Sequence, residues 1–156
     1  MKAITLLAAM TITFASCNCQ KTAAEKNSLT SENTMNQELT PVLEYEANTR
    51  GFYNKITAAN QTIAVVKERD GKPTETKISD ADWNELLSLY KAVNKEGLAT
   101  LKAPSEKRFY DGAPIGSFRV ITKEITFESS SFDAGNPPAE IEKIVNKLIA
   151  IADKQE

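Results

Sequence analysis

Residues 117–153 read SFRVITKEITFESSSFDAGNPPAEIEKIVNKLIAIAD, and two kinds of periodicity follow each other within them. Ser117–Thr122 and Ile125–Ser130 are rich in β-branched and aromatic residues and flank Lys123-Glu124, the pattern of a β-hairpin. After Asn136-Pro137-Pro138, the residues Ile141, Ile144, Val145, Leu148 and either Ile149 or Ile151 recur at helical spacing. Asparagine suits the cap of that helix, and proline suits its first position, where no N–H is needed. Lys143, Lys147 and Lys154, with Glu140 and Glu142, read as its solvated face. Strand, strand, helix is the signature of an antiparallel sheet with a helix packed on one face, which places the chain in the α+β class.

The same pattern occurs upstream. Ser79–Asn94 is a helix with Ser79 as N-cap, Asp80 and Asp82 in its first turn, and Gly97 as its closing residue. Its apolar stripe is Trp83, Leu86, Leu87, Tyr90 and Val93, with Trp83 a core residue. Asp82-Trp83-Asn84-Glu85-Leu86-Leu87…Tyr90 lines up with Glu140-Ile141-Glu142-Lys143-Ile144-Val145…Leu148. Two ββα units give this match, and so do any two helices that cover one sheet. Ahead of the first helix, Val42–Thr49 alternates with Leu43, Tyr45 and Ala47 on one side. Phe52–Ala59 and Thr62–Glu68 flank Asn60-Gln61, and Thr74–Ile78 is a short strand after Asp70-Gly71 and Pro73. The expected architecture is an antiparallel sheet of about five to six strands with two helices on one face.

Composition narrows the function. The chain has 156 residues, a formal charge of −2 and no histidine. Without histidine there is no Ser-His-Asp or Cys-His catalysis and no histidine zinc site. The charge gives no field that draws nucleic acid. No glycine-rich phosphate loop or EF-hand spacing occurs, and no cofactor is indicated.

Outside the domain, Met1-Lys2 is followed by an apolar run of about 13 residues from Ala3 to Ala15, the length of a signal-peptide core and short of the roughly 20 that span a membrane. Cys17 and Cys19 follow. A disulfide two residues apart is strained, a lone C-x-C cannot complete a zinc site, and a thioredoxin-like pair needs C-x-x-C. Phe14-Ala15-Ser16-Cys17 resembles the lipobox of bacterial lipoproteins: a large apolar residue, two small ones, then cysteine. The resemblance implies that residues 1–16 are removed and that Cys17 carries the lipid. The lack of an acidic run after it implies an outer-membrane protein facing the periplasm. Cys19 is left as a spare thiol or a second acylation site. Residues 17–40 then form the lipidated N-terminus and a polar tether of about 23 residues with a mean reach near ~25 Å. Residues 41–156 form a single domain, which resembles no characterised family.

Two loops carry the candidate site residues. Lys107-Arg108-Phe109-Tyr110-Asp111-Gly112-Ala113-Pro114 lies in a strandless stretch from Leu98 to Gly116, long for a connector. Ser129–Pro137 leads into the last helix. The binding candidates are Arg108, Tyr110, Asp111, Asp133 and Arg50, with Arg and Tyr suited to protein recognition. Asp111 and Asp133 are also weak catalytic candidates, since paired carboxylates serve glycoside hydrolysis or cation binding. The simplest reading is purely structural: Asp-Gly forms turns, Phe109 and Phe132 pin the loops, and Asp133 or Asn136 caps the helix. The function expected is a lipid-anchored, non-enzymatic envelope protein that binds another protein or an envelope ligand. The alternative is an exported inhibitor or accessory subunit of an envelope enzyme. A carboxylate-based hydrolase comes third.

Overall fold

The structure is a computed structural model that describes residues 40–154. The signal peptide, lipobox, Cys17, Cys19 and the tether expected over 17–40 therefore lie outside the described residues, except Thr40. Seven antiparallel strands and two helices follow one another: β1 (Val42–Asn48), β2 (Tyr53–Ala59), β3 (Thr62–Val66), β4 (Thr74–Lys77), α1 (Asp80–Ala92), β5 (Ile115–Ile121), β6 (Thr126–Glu128), β7 (Phe132–Asp133) and α2 (Ala139–Asp153). The α+β class holds. The sheet runs β4-β3-β2-β1-β5-β6, with β7 also paired to β5.

The first four strands form a meander. Asn60 and Gln61, at φ 48° and 60°, make the tight β2–β3 turn, the geometry that right-twisted hairpins prefer. The chain then crosses over through α1 and returns β5 beside β1, with Tyr45 opposite both Ile56 and Phe118. Alternation sorts the side chains by face. Leu43, Tyr45, Ile56, Ala58, Ile63, Phe118 and Val120 point inward and are buried against the helices. Their neighbours Glu44, Thr57, Lys55 and Arg119 point to the other face.

Each helix follows a hairpin, β3–β4 or β5–β6, but these lie at opposite edges of the sheet and the helices are not equivalent. From α2, Ile141, Ile144, Val145, Leu148 and Ile151 enter the core, whereas α1 contributes Trp83 and Leu86. Ser79 caps α1, its hydroxyl accepting from Asp82 N at 3.2 Å. Strand β5 begins at Ile115, inside the stretch expected to be strandless, and two helix boundaries also differ from the sequence expectation. Helix α1 stops at Ala92, short of Gly97, because Val93 turns extended (ψ 126°) and is buried. Helix α2 begins at Ala139 without a side-chain cap. Pro138 forces Pro137 out of helical geometry, so the helix cannot start earlier, and the Asn136 side chain donates to Ser105 Oγ instead. No helix among the described residues is long and apolar enough to cross a membrane.

Candidate functional site

The stretch between α1 and β5 contains two short 3-10 turns, Leu98–Thr100 and Lys107–Tyr110. A four-residue turn is too short to hold itself, since its backbone N–H groups at the start have no partner within it. Here the partner comes from far along the chain. Asp133 Oδ2 accepts from Lys107 N at 2.8 Å and from Ser105 Oγ at 2.5 Å. Asp133 Oδ1 accepts from Arg108 N at 2.9 Å and from Arg108 Nη1 at 3.2 Å. The carboxylate is thus the N-terminal cap of the turn, and four donors occupy its lone pairs. Burial on its own would raise the pKa of Asp133. The Ser105 hydroxyl and the Arg108 and Lys107 amides outweigh burial and hold the carboxyl well below the usual carboxylate range.

Asp133 is placed by its neighbours. Its strand pairs with β5 through Ile115↔Asp133 and Gly116↔Phe132. Phe132 is fully buried and stacks on Tyr45 with ring centroids 6.3 Å apart. Beyond it, Asn136 N donates to Asp133 O at 2.8 Å, closing a turn in which Gly135 takes φ 84°, the conformation glycine allows.

Arg108 is inside this construction. Its side chain is 8% exposed. Nη1 also donates to Ser105 O at 2.7 Å, Nε donates to Ser131 Oγ at 3.2 Å, and the guanidinium lies 4.2 Å from the Phe109 ring centroid. The residue is a buried strut rather than an exposed anchor. At the other end of the turn, Asp111 adopts φ 56° and ψ 18°, a left-handed cap that aspartate tolerates, and Gly112 N donates back to Lys107 O at 2.9 Å. The two aspartates therefore terminate opposite ends of one turn.

What the turn displays is aromatic. Phe109 is 69% exposed and Tyr110 is 70% exposed. Phe109 does not pin the loop to the core, as the sequence suggested; Phe132 alone of the pair does so. The ladder pairs Tyr53 with Asn48, Asn48 with Ile115, and Ile115 with Asp133. At roughly 4.8 Å per strand, these four backbone positions lie within about 15 Å at one end of the sheet. Ile115 and the neighbouring Phe52 are exposed there, as is Arg50 in the β1–β2 turn. Arg69 braces that turn, its Nη2 donating to Thr49 O at 2.8 Å and its guanidinium 5.6 Å from the Tyr53 ring.

Sequence reasoning singled out Arg50, Arg108, Tyr110, Asp111 and Asp133. The structure joins Arg108 to Asp133 and leaves Arg50, Tyr110 and Asp111 on the surface. Sequence reasoning missed Ser105, which no local pattern marks, the exposed Phe52, which looked like an ordinary strand residue, and the exposed Ile115, which lay in the stretch expected to be strandless. Among the described residues, no group of three or more Cys, Asp or Glu is placed to hold a metal ion. Comparison with known proteins finds no matching family model, no matching curated protein and no matching solved structure.

Proposed function

We propose that this protein is a lipid-anchored, non-enzymatic module of the cell envelope that binds another envelope protein through the aromatic turn Lys107–Tyr110. The lipid sits on Cys17, and the domain reaches its partner from the membrane on the 17–40 tether, with the outer membrane facing the periplasm as its location. One observation carries the binding reading: two adjacent aromatic rings are about 70% exposed on a turn fixed from beneath by a buried carboxylate. Leaving two rings in water is unfavourable for an isolated domain, and rigid aromatic anchors are what protein interfaces select. Asp133 offers support from the other side, since a 2% exposed carboxylate with four donors has no lone pair left for general acid–base work.

A photo-crosslinking residue at Lys107 in the full chain, expressed in the native envelope, tests the reading. A discrete crosslinked partner that disappears in Phe109→Ala/Tyr110→Ala, with the circular dichroism spectrum unchanged, is the expected result. The same partner at the same yield in that variant overturns it. Mass measurement of the mature protein tests the anchor: a lipid adduct on Cys17 supports it, and a product beginning elsewhere sinks it.

A further inference from the structure

The two edges of the sheet are built differently. Beside β6 the loop backbone already occupies the edge, with Ser130 N donating to Leu98 O at 3.1 Å. At the other edge β4 has β3 on one side and, among the described residues, no strand on the other.

The hydrogen-bond phase of β4 is fixed. Ile78 N donates to Gln61 O at 2.9 Å. In an antiparallel ladder the backbone groups turn alternately toward one neighbour and the other. Ile78, Thr76 and Thr74 therefore direct theirs to β3, and Glu75 and Lys77 direct their N–H and C=O groups outward, over the open edge. The side chains of Glu75 and Lys77 lie opposite Ala64 and Thr62, on the polar face. Both are exposed, and neither has an ion-pair partner among the described residues. On the inner face, Thr74 and Thr76 border a cleft of about 390 Å³ floored by Ile63, Val65 and Ala152.

We propose that this edge binds the same edge of a second copy, β4 running antiparallel to β4 about a two-fold axis at Thr76. The register follows from two facts. A slip by one residue would turn inward side chains outward, so Glu75 and Lys77 must stay at the hydrogen-bonded positions. Three two-fold registers satisfy this. Two of them place Glu75 against the partner's Glu75 or Lys77 against the partner's Lys77, which is repulsive. The third places Glu75 against the partner's Lys77 and Lys77 against the partner's Glu75. It makes two complete hydrogen-bonded pairs, each with opposite charges on the same face. The sequence Glu75-Thr76-Lys77 is thus self-complementary about its middle residue. Closing the edge this way extends one sheet through both copies, brings the two clefts together across the axis, and covers a strand that is otherwise open to any extended peptide.

Thr76 faces Thr76 of the second copy in a non-hydrogen-bonded pair, where Cβ atoms come close enough for a disulfide. The test uses the full chain, expressed and exported in cells, with Cys19→Ser to remove the spare thiol and Thr76→Cys as reporter. A disulfide-linked homodimer on a non-reducing gel is expected. Adding Glu75→Lys or Lys77→Glu alone should lower the crosslinked fraction about tenfold by placing like charges opposite each other. Combining the two restores it, since the reversed sequence is again self-complementary. A monomeric Thr76→Cys chain, or one whose thiol is captured by a different protein, overturns the proposal. So do single reversals that crosslink as well as their parent, and a double reversal that fails to recover.

Discussion

Gly116 shows how one residue sets both the fold and the site. It lies in β5 with Ala47 opposite on one side and Phe132 on the other. A Cβ at this position would sit 2.8 Å from Phe132 Cε2 and 3.0 Å from Cδ2. The ring cannot yield easily, because it is fully buried and stacked on Tyr45. Gly116→Ala is therefore expected to destabilise the protein by about 1–3 kcal/mol, the usual cost of overpacking, as read from urea unfolding. Phe132→Ala removes the obstacle but leaves a cavity and is expected to cost about 3–5 kcal/mol. The two changes touch the same space, so the double variant should be less destabilised than their sum. A strictly additive result would mean that the Gly116 contact is not what limits packing here. Because Asp133 adjoins Phe132, both variants should also loosen the turn at Lys107–Tyr110.

At the scale of elements, the contact between the two helices includes a charge, that of Lys147, which sequence alone assigned to solvent. Lys147 of α2 donates to Asp82 Oδ1 of α1 at 2.7 Å and also bonds Glu85, with its side chain only 16% exposed. The Lys147 hydrogen bond, followed by that of Ser79, lowers the pKa of Asp82 from 3.8 to about 2. A carboxyl whose pKa is lower folded than unfolded stabilises the fold above the unfolded value, and that stability is lost as pH falls from about 4 to about 2. In Lys147→Met the drop in urea midpoint between pH 5 and pH 2.5 should shrink; an unchanged drop would show that other carboxyls dominate the acid limb. Lys147 escaped sequence reading because the i, i+4 pattern of one helix says nothing about which residues of another helix lie across from it. The same reason separates what was legible from what was not. The stripes of α1 and α2 and the alternation of Leu43, Tyr45 and Ala47 are local and were read correctly. The two-residue β7 is too short to carry a period, and Pro137-Pro138 shifted the start of α2. The turn at Lys107–Tyr110 takes its shape from Asp133, which is distant in sequence, so the aspartates were visible as residues but their roles as end caps were not.

Taken as a whole molecule, the sheet separates the groups that hold the fold from those free to bind. The face away from the helices is wet and carries a connected set of charges. Glu44 is 5% exposed and meets Lys55 at 2.7 Å and Arg119 at 2.6 Å, while Arg119 also meets Glu46 at 3.3 Å and Glu128 at 2.9 Å. Arg119 therefore links strands β1, β5 and β6 and shields a carboxylate that would otherwise be buried with a single cation. Arg119→Met should cost about 1–3 kcal/mol in urea unfolding, because the loss leaves Glu44 under-paired rather than merely removing an exposed pair. Phe109 and Tyr110 stand at the opposite extreme: both are about 70% exposed, with the Phe109 ring against the Arg108 guanidinium and the Tyr110 ring beside Gly112. Phe109→Ala/Tyr110→Ala is expected to leave stability within about 1 kcal/mol of the parent, as exposed substitutions do, while abolishing capture of the partner. Arg108→Met, by contrast, should destabilise the fold and lose the partner together, since it removes the strut beneath the rings. Measuring unfolding and crosslinking side by side on the three variants separates the roles. If Arg108→Met keeps its stability but loses the partner, the guanidinium contacts the partner directly and the strut assignment fails.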